Sequence, residues 1–223
     1  MDKVITIEQC REYLSHDITL AIGGFLAVGT PETLIDCLVE QQFQNLTVIG
    51  NDTSFVDKGI GRLIAGHQVK KAIVSHIGAN PETGRQMHNG ELEVELVPQG
   101  TLAERLRCGG SGLGGVLTPT GLGTIVAENK QIIHANGQDY LLELPLRANV
   151  ALIKATMGDK SGNLICRRST RNFNPVMAMA ADLVIAEVDT IVEVGEIDAD
   201  HVMIPAIFVD YICLSGRTVD NGC

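Results

Sequence analysis

The fold class of this chain is decided by one stretch, ITLAIGGFLAVGTPETLIDCLVEQ, which covers residues 18–41. Residues 18–25 begin as an apolar run and end in glycine, which is typical of a strand followed by a turn. Residues 30–41 carry a helix start, because Thr30 can cap a helix and Pro31 suits its first position. A strand, a glycine turn and a helix in this order make half of a βαβ unit.

Strand and helix patterns alternate along the rest of the chain. Further strands are predicted at 45–50, 71–78, 92–98, 149–155, 183–189 and 206–214. Helices are predicted at 7–15, 101–107 and 172–182, with a short one after residue 80 and a loop at 51–61. Asn136-Gly137 between two apolar runs indicates a hairpin within 131–144. We therefore expect an α/β fold, an open and mostly parallel sheet flanked by helices with a small antiparallel insert, in one domain spanning residues 1–223.

Composition and charge exclude several function classes. The 223 residues include 17 Lys and Arg against 27 Asp and Glu, a net charge of −10, which disfavours binding to nucleic acid or to anionic membranes. No signal peptide and no long apolar segment is recognisable, so a cytoplasmic protein is expected. Six cysteines without a CxxC spacing predict free thiols, and the scattered histidines predict no metal site.

The glycine turn GGFLAVGTP (residues 23–31) is the first candidate site. In an open α/β sheet, ligands bind at the carboxyl ends of strands, and a helix N-terminus there attracts anions. Neither G-x-G-x-x-G nor a P-loop motif is present. A phosphate site and a tight, purely structural turn are therefore left as equal alternatives.

A second glycine-rich stretch, CGGSGLGG (residues 108–115), contains five glycines. Interleaved apolar residues argue against a flexible linker, and we expect a loop whose backbone passes close to a ligand or another chain. Gln99 lies just before this region at the end of a predicted strand, where its amide could donate to an oxyanion. The alternative is that Gln99 is an ordinary polar loop residue.

Cys108 is more simply a buried apolar residue than a nucleophile, and the alternating Glu91, Glu93 and Glu95 are most simply a solvated strand face.

Several motifs occur together and in order along nearly the whole chain. They are GGFLAVGTP, NDTSFVDKGIG, SHIGANPETGRQM, ELEVELVPQGTLAERLRCGGSGLGGVLTPTGLGT, ALIKA, GNL and RNFNPVMAMAAD. In these motifs the chain resembles the alpha subunits of family I, or 3-oxoacid, CoA-transferases. It departs from them at His16-Asp17, where the family usually has Asp-Gly or Asn-Gly, a change confined to a turn.

The resemblance implies transfer of CoA between an acyl-CoA and a short-chain carboxylate such as acetoacetate, acetate or butyrate. Coenzyme A is then a substrate, and no other cofactor is implied. The nucleophilic glutamate of this family lies in a Ser-Glu-Asn-Gly stretch of the beta subunit, and that stretch is absent here. A beta subunit is the implied partner, in an α2β2 assembly.

The resemblance also assigns residues of this chain to roles. Gln99 is implied as the oxyanion donor, and Asn51 is implied as a polar residue near the substrate. CoA binding is implied for the turn formed by Gly23, Gly24, Phe25, Leu26, Ala27, Val28 and Gly29. A substrate-site loop facing the beta subunit is implied for Gly109, Gly110, Gly112 and Gly114. Two alternatives remain, a sugar-phosphate isomerase or sugar-phosphate-binding domain on the same fold, and a non-catalytic interaction subunit.

Overall fold

Eight strands form one mostly parallel sheet in the computed structural model, which describes residues 2–217. The strands of the described part are β1 (Thr19–Ile22), β2 (Leu46–Ile49), β3 (Val69–Val74), β4 (Glu93–Leu96), β5 (Val116–Thr118), β6 (Ile132–Ala135), β7 (Gln138–Glu143), β8 (Ala148–Asp159), β9 (Leu164–Ile165), β10 (Ala181–Val192) and β11 (Tyr211–Leu214). The main sheet has the order β11-β10-β8-β1-β2-β3-β4, and β9 pairs with β8. Among the described strands of this sheet, only the β8–β9 pairing is antiparallel, so the predicted fold class is confirmed.

Helices cover both faces of this sheet. The α-helices of the described residues are α1 (Ile7–Cys10), α2 (Glu32–Glu40), α3 (Ile60–Ala65), α4 (Pro81–His88), α5 (Gln99–Ser111) and α6 (Asn174–Met179). Short 3₁₀ turns lie at Arg11–Tyr13, Ile125–Ala127, Arg168–Arg171, Ala199–His201 and Ala206–Phe208. No helix within residues 2–217 is both long and apolar enough to cross a membrane.

The hydrophobic core is divided by the sheet into two clusters. Leu20 and Ile22 of β1 point into the cluster that contains Leu34 of α2. Ala21, between them in sequence, points into the opposite cluster with Leu102 of α5. This alternation, with apolar side chains on both sides, is what a parallel strand buried on both faces requires.

The start of α2 differs from the prediction. Pro31 takes the N-cap position, and neither it nor Thr30 provides a side-chain cap. Instead the Glu187 carboxylate on β10 accepts hydrogen bonds from Thr33 N at 2.8 Å and Leu34 N at 3.2 Å. The free N–H groups of the first turn are satisfied by a residue more than 150 positions away, which no local pattern shows.

The predicted hairpin is confirmed as β6–β7, with Asn136 (φ 51°) and Gly137 (φ 79°) in its turn. With β5 it forms the antiparallel insert, in the order β5-β7-β6. Most of this insert lies at the surface, since no residue from 111 to 140 is buried, whereas Leu141 and Glu143 at the end of β7 are.

The boundaries of several elements differ from the prediction, among them those of α3, α5 and β11. Helix α3 begins at Ile60, at the end of the stretch predicted as a loop. Helix α5 extends past the predicted 101–107 in both directions, and β11 starts only at Tyr211 because residues 206–208 form a 3₁₀ turn. Cys223 and the two ends of the predicted 1–223 domain lie outside the described residues.

Candidate active site

The candidate site lies at the carboxyl edge of the parallel sheet. Strand β1 leads into Gly23, β2 leads through Gly50 into Asn51, and β4 leads into Gln99 at the first turn of α5. Because neighbouring parallel strands end at the same edge, these three connections meet there.

A chain of hydrogen bonds links the three connections. Gln99 Nε2 donates to Asn51 Oδ1 at 2.7 Å, and Asn51 Nδ2 donates to Asp52 Oδ2 at 2.8 Å. Leu26 N donates to the same Asp52 oxygen at 2.9 Å. Asn51 and Asp52 are buried, whereas Gln99 is exposed. The structure therefore brings together Gln99, Asn51 and the turn at 23–29.

The tip of this turn is a tight two-residue hairpin. Phe25 and Val28 exchange backbone hydrogen bonds at 2.9 and 3.0 Å across Leu26 (φ 45°) and Ala27 (φ 69°). Left-handed backbone costs a non-glycine residue about 1–2 kcal/mol, so neighbouring contacts must hold the hairpin in place. Its outer side chains, Phe25 and Val28, are exposed and apolar.

Two glycines let this turn pack against a distant segment. A β-carbon at Gly23 would collide with the side chain of Asn174. At Gly29 (φ 67°) it would lie 2.9 Å from Thr170 Cα. Asn174 Nδ2 donates to the Gly29 carbonyl at 2.9 Å and to the Thr170 carbonyl at 2.7 Å, and Asn172 Nδ2 donates to Val28 O at 2.9 Å.

Sequence reasoning did not assign Asp52, Asn172 or Asn174. Asn174 is fully buried, and its Oδ1 accepts a further bond from Lys154 N at 2.9 Å. The only local signal was an asparagine next to a proline at a helix start, which indicates a cap rather than a contact with residues 23–29.

The geometry favours the structural interpretation of the turn over a phosphate site. Glu32 N donates to the Thr30 carbonyl, and Glu187 takes the N–H groups of Thr33 and Leu34. A phosphate at the start of α2 would have to displace a buried carboxylate. This also removes the local support for a sugar-phosphate site.

The first half of the glycine-rich stretch is helical and does not form the predicted loop. Gly109 and Gly110 are helical, because α5 continues to Ser111. A β-carbon at Gly109 would collide with the Leu146 carbonyl, and one at Gly110 would lie 2.5 Å from the Met179 carbonyl. These glycines thus permit close packing within this chain.

Gly112 ends α5 in the left-handed conformation (φ 67°), a common helix C-terminus. The 13 residues of α5 span about 20 Å at ~1.5 Å per residue. Gly112 and Gly114 therefore lie at the opposite end of this helix from Gln99, and the structure does not bring them to the Gln99 amide.

The remaining candidates are accounted for by packing and ion pairs. Cys108 is buried within α5, as expected for a small apolar residue. Glu95 is not simply solvated, since it pairs with Arg105 at 2.8 Å and Lys71 at 3.4 Å. Burial opposes ionisation of Glu95, but these two cations outweigh it and hold its pKa below the ordinary value.

A cavity of about 300 Å³ lies between α5 and the small sheet. Its charged side chains already pair with one another, Arg105 with Glu95 and Lys130 with the buried Glu143 at 2.6 Å. Within residues 2–217, no group of three or more acidic, His or Cys side chains could hold a metal ion.

Comparisons with known proteins agree with this architecture. The acetate CoA-transferase subunit alpha of Escherichia coli is 51% identical over 96% of this chain and 97% of its own length. The acetoacetyl-CoA:acetate/butyrate CoA transferase alpha subunit of Clostridium acetobutylicum is 52% identical over 94% of this chain and 96% of its own length.

Solved structures show the same fold at low identity. Glutaconate coenzyme A-transferase of Acidaminococcus fermentans superposes with a TM-score of 0.84 at 19% identity, over 95% of this chain and 75% of that chain. An acyl-CoA transferase of Escherichia coli O157:H7 gives 0.84 at 21% identity, over 96% of this chain but only 47% of its own. The sequence model of the coenzyme A transferase family matches residues 4–215, and this chain therefore belongs to that family.

Proposed function

We propose that this chain is the alpha subunit of a heteromeric CoA-transferase that moves CoA between an acyl-CoA and a short-chain carboxylate such as acetoacetate, acetate or butyrate. The observation that carries the proposal is the chain of bonds from Gln99 through Asn51 to Asp52, which holds an exposed amide at the carboxyl edge of the sheet. The names of two relatives that are about half identical over nearly the full length support the choice of acids.

In the proposed reaction, a glutamate carboxylate of the beta subunit attacks the thioester carbon, and the carbonyl oxygen becomes an oxyanion. Collapse of this intermediate breaks the C–S bond, releases CoA thiolate and leaves an acyl-glutamyl anhydride. The thiolate then attacks the glutamyl carbonyl, which gives a glutamyl-CoA thioester and frees the first acid. The second carboxylate takes the CoA by the same steps in reverse.

Gln99 supplies the stabilising donor in this scheme. Its Nε2 carries two hydrogens, of which Asn51 accepts one, so the second can reach the oxyanion. A donor held in place before the reaction stabilises the developing charge without reorganisation.

Coenzyme A is proposed to bind as a substrate along the hairpin at 25–28. Exposed Phe25 and Val28 offer apolar contacts for the pantetheine arm. No other cofactor is needed, since every bond in the scheme forms or breaks among the acids, the thiol and the glutamate.

A beta subunit is the proposed partner, in an α2β2 assembly. Phe25 and Val28 of the hairpin are exposed, as are Phe55 and Val56 in the connection that contains Asp52, and the region from 111 to 140 leaves Leu117 and Ile132 uncovered. Surfaces of this kind fit a second chain. Gly112 and Gly114, at the end of the glycine-rich stretch, are proposed to face the beta subunit.

The buried thiols fit a reducing compartment such as the cytoplasm.

The test is acetoacetyl-CoA formation from acetyl-CoA and acetoacetate, measured with this chain alone and with a candidate beta subunit. Activity is expected only in the mixture. Gln99→Ala should lower kcat by about 10²–10³-fold, as for removal of one oxyanion donor. Gln41→Ala, at an exposed glutamine after α2, is the matched control.

Activity of the chain alone would contradict the proposal that the beta subunit supplies the nucleophilic glutamate. A loss of less than threefold for Gln99→Ala would remove Gln99 from the mechanism.

A further inference from the structure

We propose that Asp52 is a positioning residue that decides which atom of the Gln99 amide faces the reacting thioester. The inference rests on the proposed function of Gln99 as an oxyanion donor. An amide side chain presents an oxygen and an NH₂ group of nearly equal shape, so hydrogen bonds from its neighbours must decide which of the two faces the substrate. Gln99 is exposed, so packing alone does not fix the orientation of its amide.

The direction of each hydrogen bond follows from the carboxylate. An ionised carboxylate only accepts, so Asn51 must turn its Nδ2 toward Asp52, where the two atoms are 2.8 Å apart. Asn51 Oδ1 then faces Gln99 and can only accept, so Gln99 must present Nε2, at 2.7 Å. The second hydrogen of Nε2 is left for the substrate oxygen.

The carboxylate is itself held by backbone. Asp52 is 5% exposed, and besides Leu26 N its oxygens accept from Ser54 N at 2.7 Å. No Lys, Arg or His of the described residues forms an ion pair with it within 4.0 Å. The recorded donors to this carboxylate are thus neutral ones, Asn51 Nδ2 and the N–H groups of Leu26 and Ser54.

Loss of the carboxylate would remove the acceptor that fixes Asn51 Nδ2, and the long 3.4 Å contact from Ser75 Oγ to Asn51 Oδ1 is too weak to prevent reversal of the amide, since that hydroxyl already donates to Asn51 O at 2.7 Å. Gln99 could then turn its Oε1 to Asn51 Nδ2, and its NH₂ would no longer be fixed toward the oxyanion. An oxygen lone pair near developing negative charge raises the energy of the transition state. Because Leu26 bonds to the same carboxylate, Asp52 also sets the position of Gln99 relative to the hairpin.

The first test is a double-mutant cycle in the complex with the beta subunit. Asp52→Ala is expected to lower kcat by about 10–100-fold, and a rise in the KM for acyl-CoA would report separately the lost bond to Leu26 N in the proposed CoA-binding hairpin. When Asp52→Ala is added to Gln99→Ala, kcat should fall by less than about a further threefold, because Asp52 acts through Gln99. Asp52→Asn keeps the shape of the side chain but can also donate a hydrogen bond, so its kcat should lie between those of Asp52→Ala and the unaltered protein.

Multiplicative losses in the double variant, or kcat of Asp52→Ala within threefold of the unaltered complex, would overturn the inference. If Gln99→Ala itself retained activity, the proposed function of the site would fail instead. The matched control is Asp57→Ala, an exposed carboxylate in the same connection, which should leave kcat unchanged.

The second test needs no activity and uses the full chain alone. The ¹⁵N-labelled side-chain amide of Gln99 should show one hydrogen shifted downfield by its bond to Asn51. In Asp52→Ala or Asp52→Asn that resonance should move toward the value of a free glutamine, and in Asp57→Ala it should not. An unchanged Gln99 resonance in a folded Asp52 variant, as judged by circular dichroism, would contradict the inference.

Discussion

At the scale of single residues, the candidate site is held together by side-chain amides that bond to backbone. Asn174 satisfies the carbonyls of Gly29 and Thr170 and the N–H of Lys154, all with one buried side chain. We expect Asn174→Ala to lower the free energy of unfolding by about 3 kcal/mol, because it leaves buried polar groups without partners. Urea unfolding measures the change.

The matched control is Asn89→Ala. The side chain of Asn89 is exposed and donates to the Glu91 carboxylate at the surface, so its removal should change the free energy of unfolding by less than about 0.5 kcal/mol. An Asn174→Ala variant as stable as the control would mean that water or a shifted backbone replaces the amide.

The residues of the site were only partly predictable. Gln99 could be placed at a strand end, because the alternating pattern of β4 and the helical pattern after it are local. Its partner Asn51 is 48 positions away, and Asn174 is 145 positions from the Gly29 carbonyl that it binds. Contacts at such separations depend on strand order, which local periodicity does not contain.

At the scale of elements, α5 shows why glycine density misleads. Glycine costs about 1 kcal/mol in a helix relative to alanine, so the sequence favoured a loop at Gly109 and Gly110. The helix continues because it lies so close to the carbonyls of Leu146 and Met179 that a β-carbon would not fit. Helix α3 was missed for a related reason, since it has only six residues and glycine on either side.

Alanine substitutions in two helices test this explanation. Gly109→Ala should destabilise the protein by about 2–3 kcal/mol, because the new methyl group would overlap the backbone carbonyl of Leu146. Gly84→Ala, in α4 with open space around it, should stabilise by about 0.5–1 kcal/mol. The free energy of unfolding of each variant is the measurement, and a stabilising Gly109→Ala would refute close packing as the reason for that glycine.

At the scale of the whole molecule, the alternation of strands and helices predicted the parallel sheet, and Asn136-Gly137 predicted the antiparallel insert. The local sequence pattern did not predict the order of the strands. It also did not predict the ion pairs that join separate elements. Asp36 of α2 pairs with Arg62 of α3 and with Arg217 after β11, and Glu95 of β4 pairs with Arg105 of α5.

These ion pairs predict how stability depends on acid. Burial raises the pKa of Asp36, but hydrogen bonds and charge from Arg217 and Arg62 outweigh it, and its pKa lies below the ordinary value. A carboxyl whose pKa is lower when folded stabilises the protein above its unfolded pKa, about 4, and this contribution is lost as the pH falls through the lowered value. The contribution of Asp36 should thus be constant from pH 7 to about 5 and should decline below about pH 4.

Urea unfolding at pH 7, 5, 4 and 3 measures this dependence. Asp36→Asn should be less stable than the unaltered protein at pH 7 and should lose less stability between pH 5 and 3, because the titrating carboxyl is gone. Glu40→Gln is the control, since Glu40 is an exposed carboxyl on the same helix that pairs, within residues 2–217, with Arg11 alone. If Asp36→Asn and Glu40→Gln show the same acid dependence, the link between α2, α3 and the segment after β11 is not what holds these elements together at neutral pH.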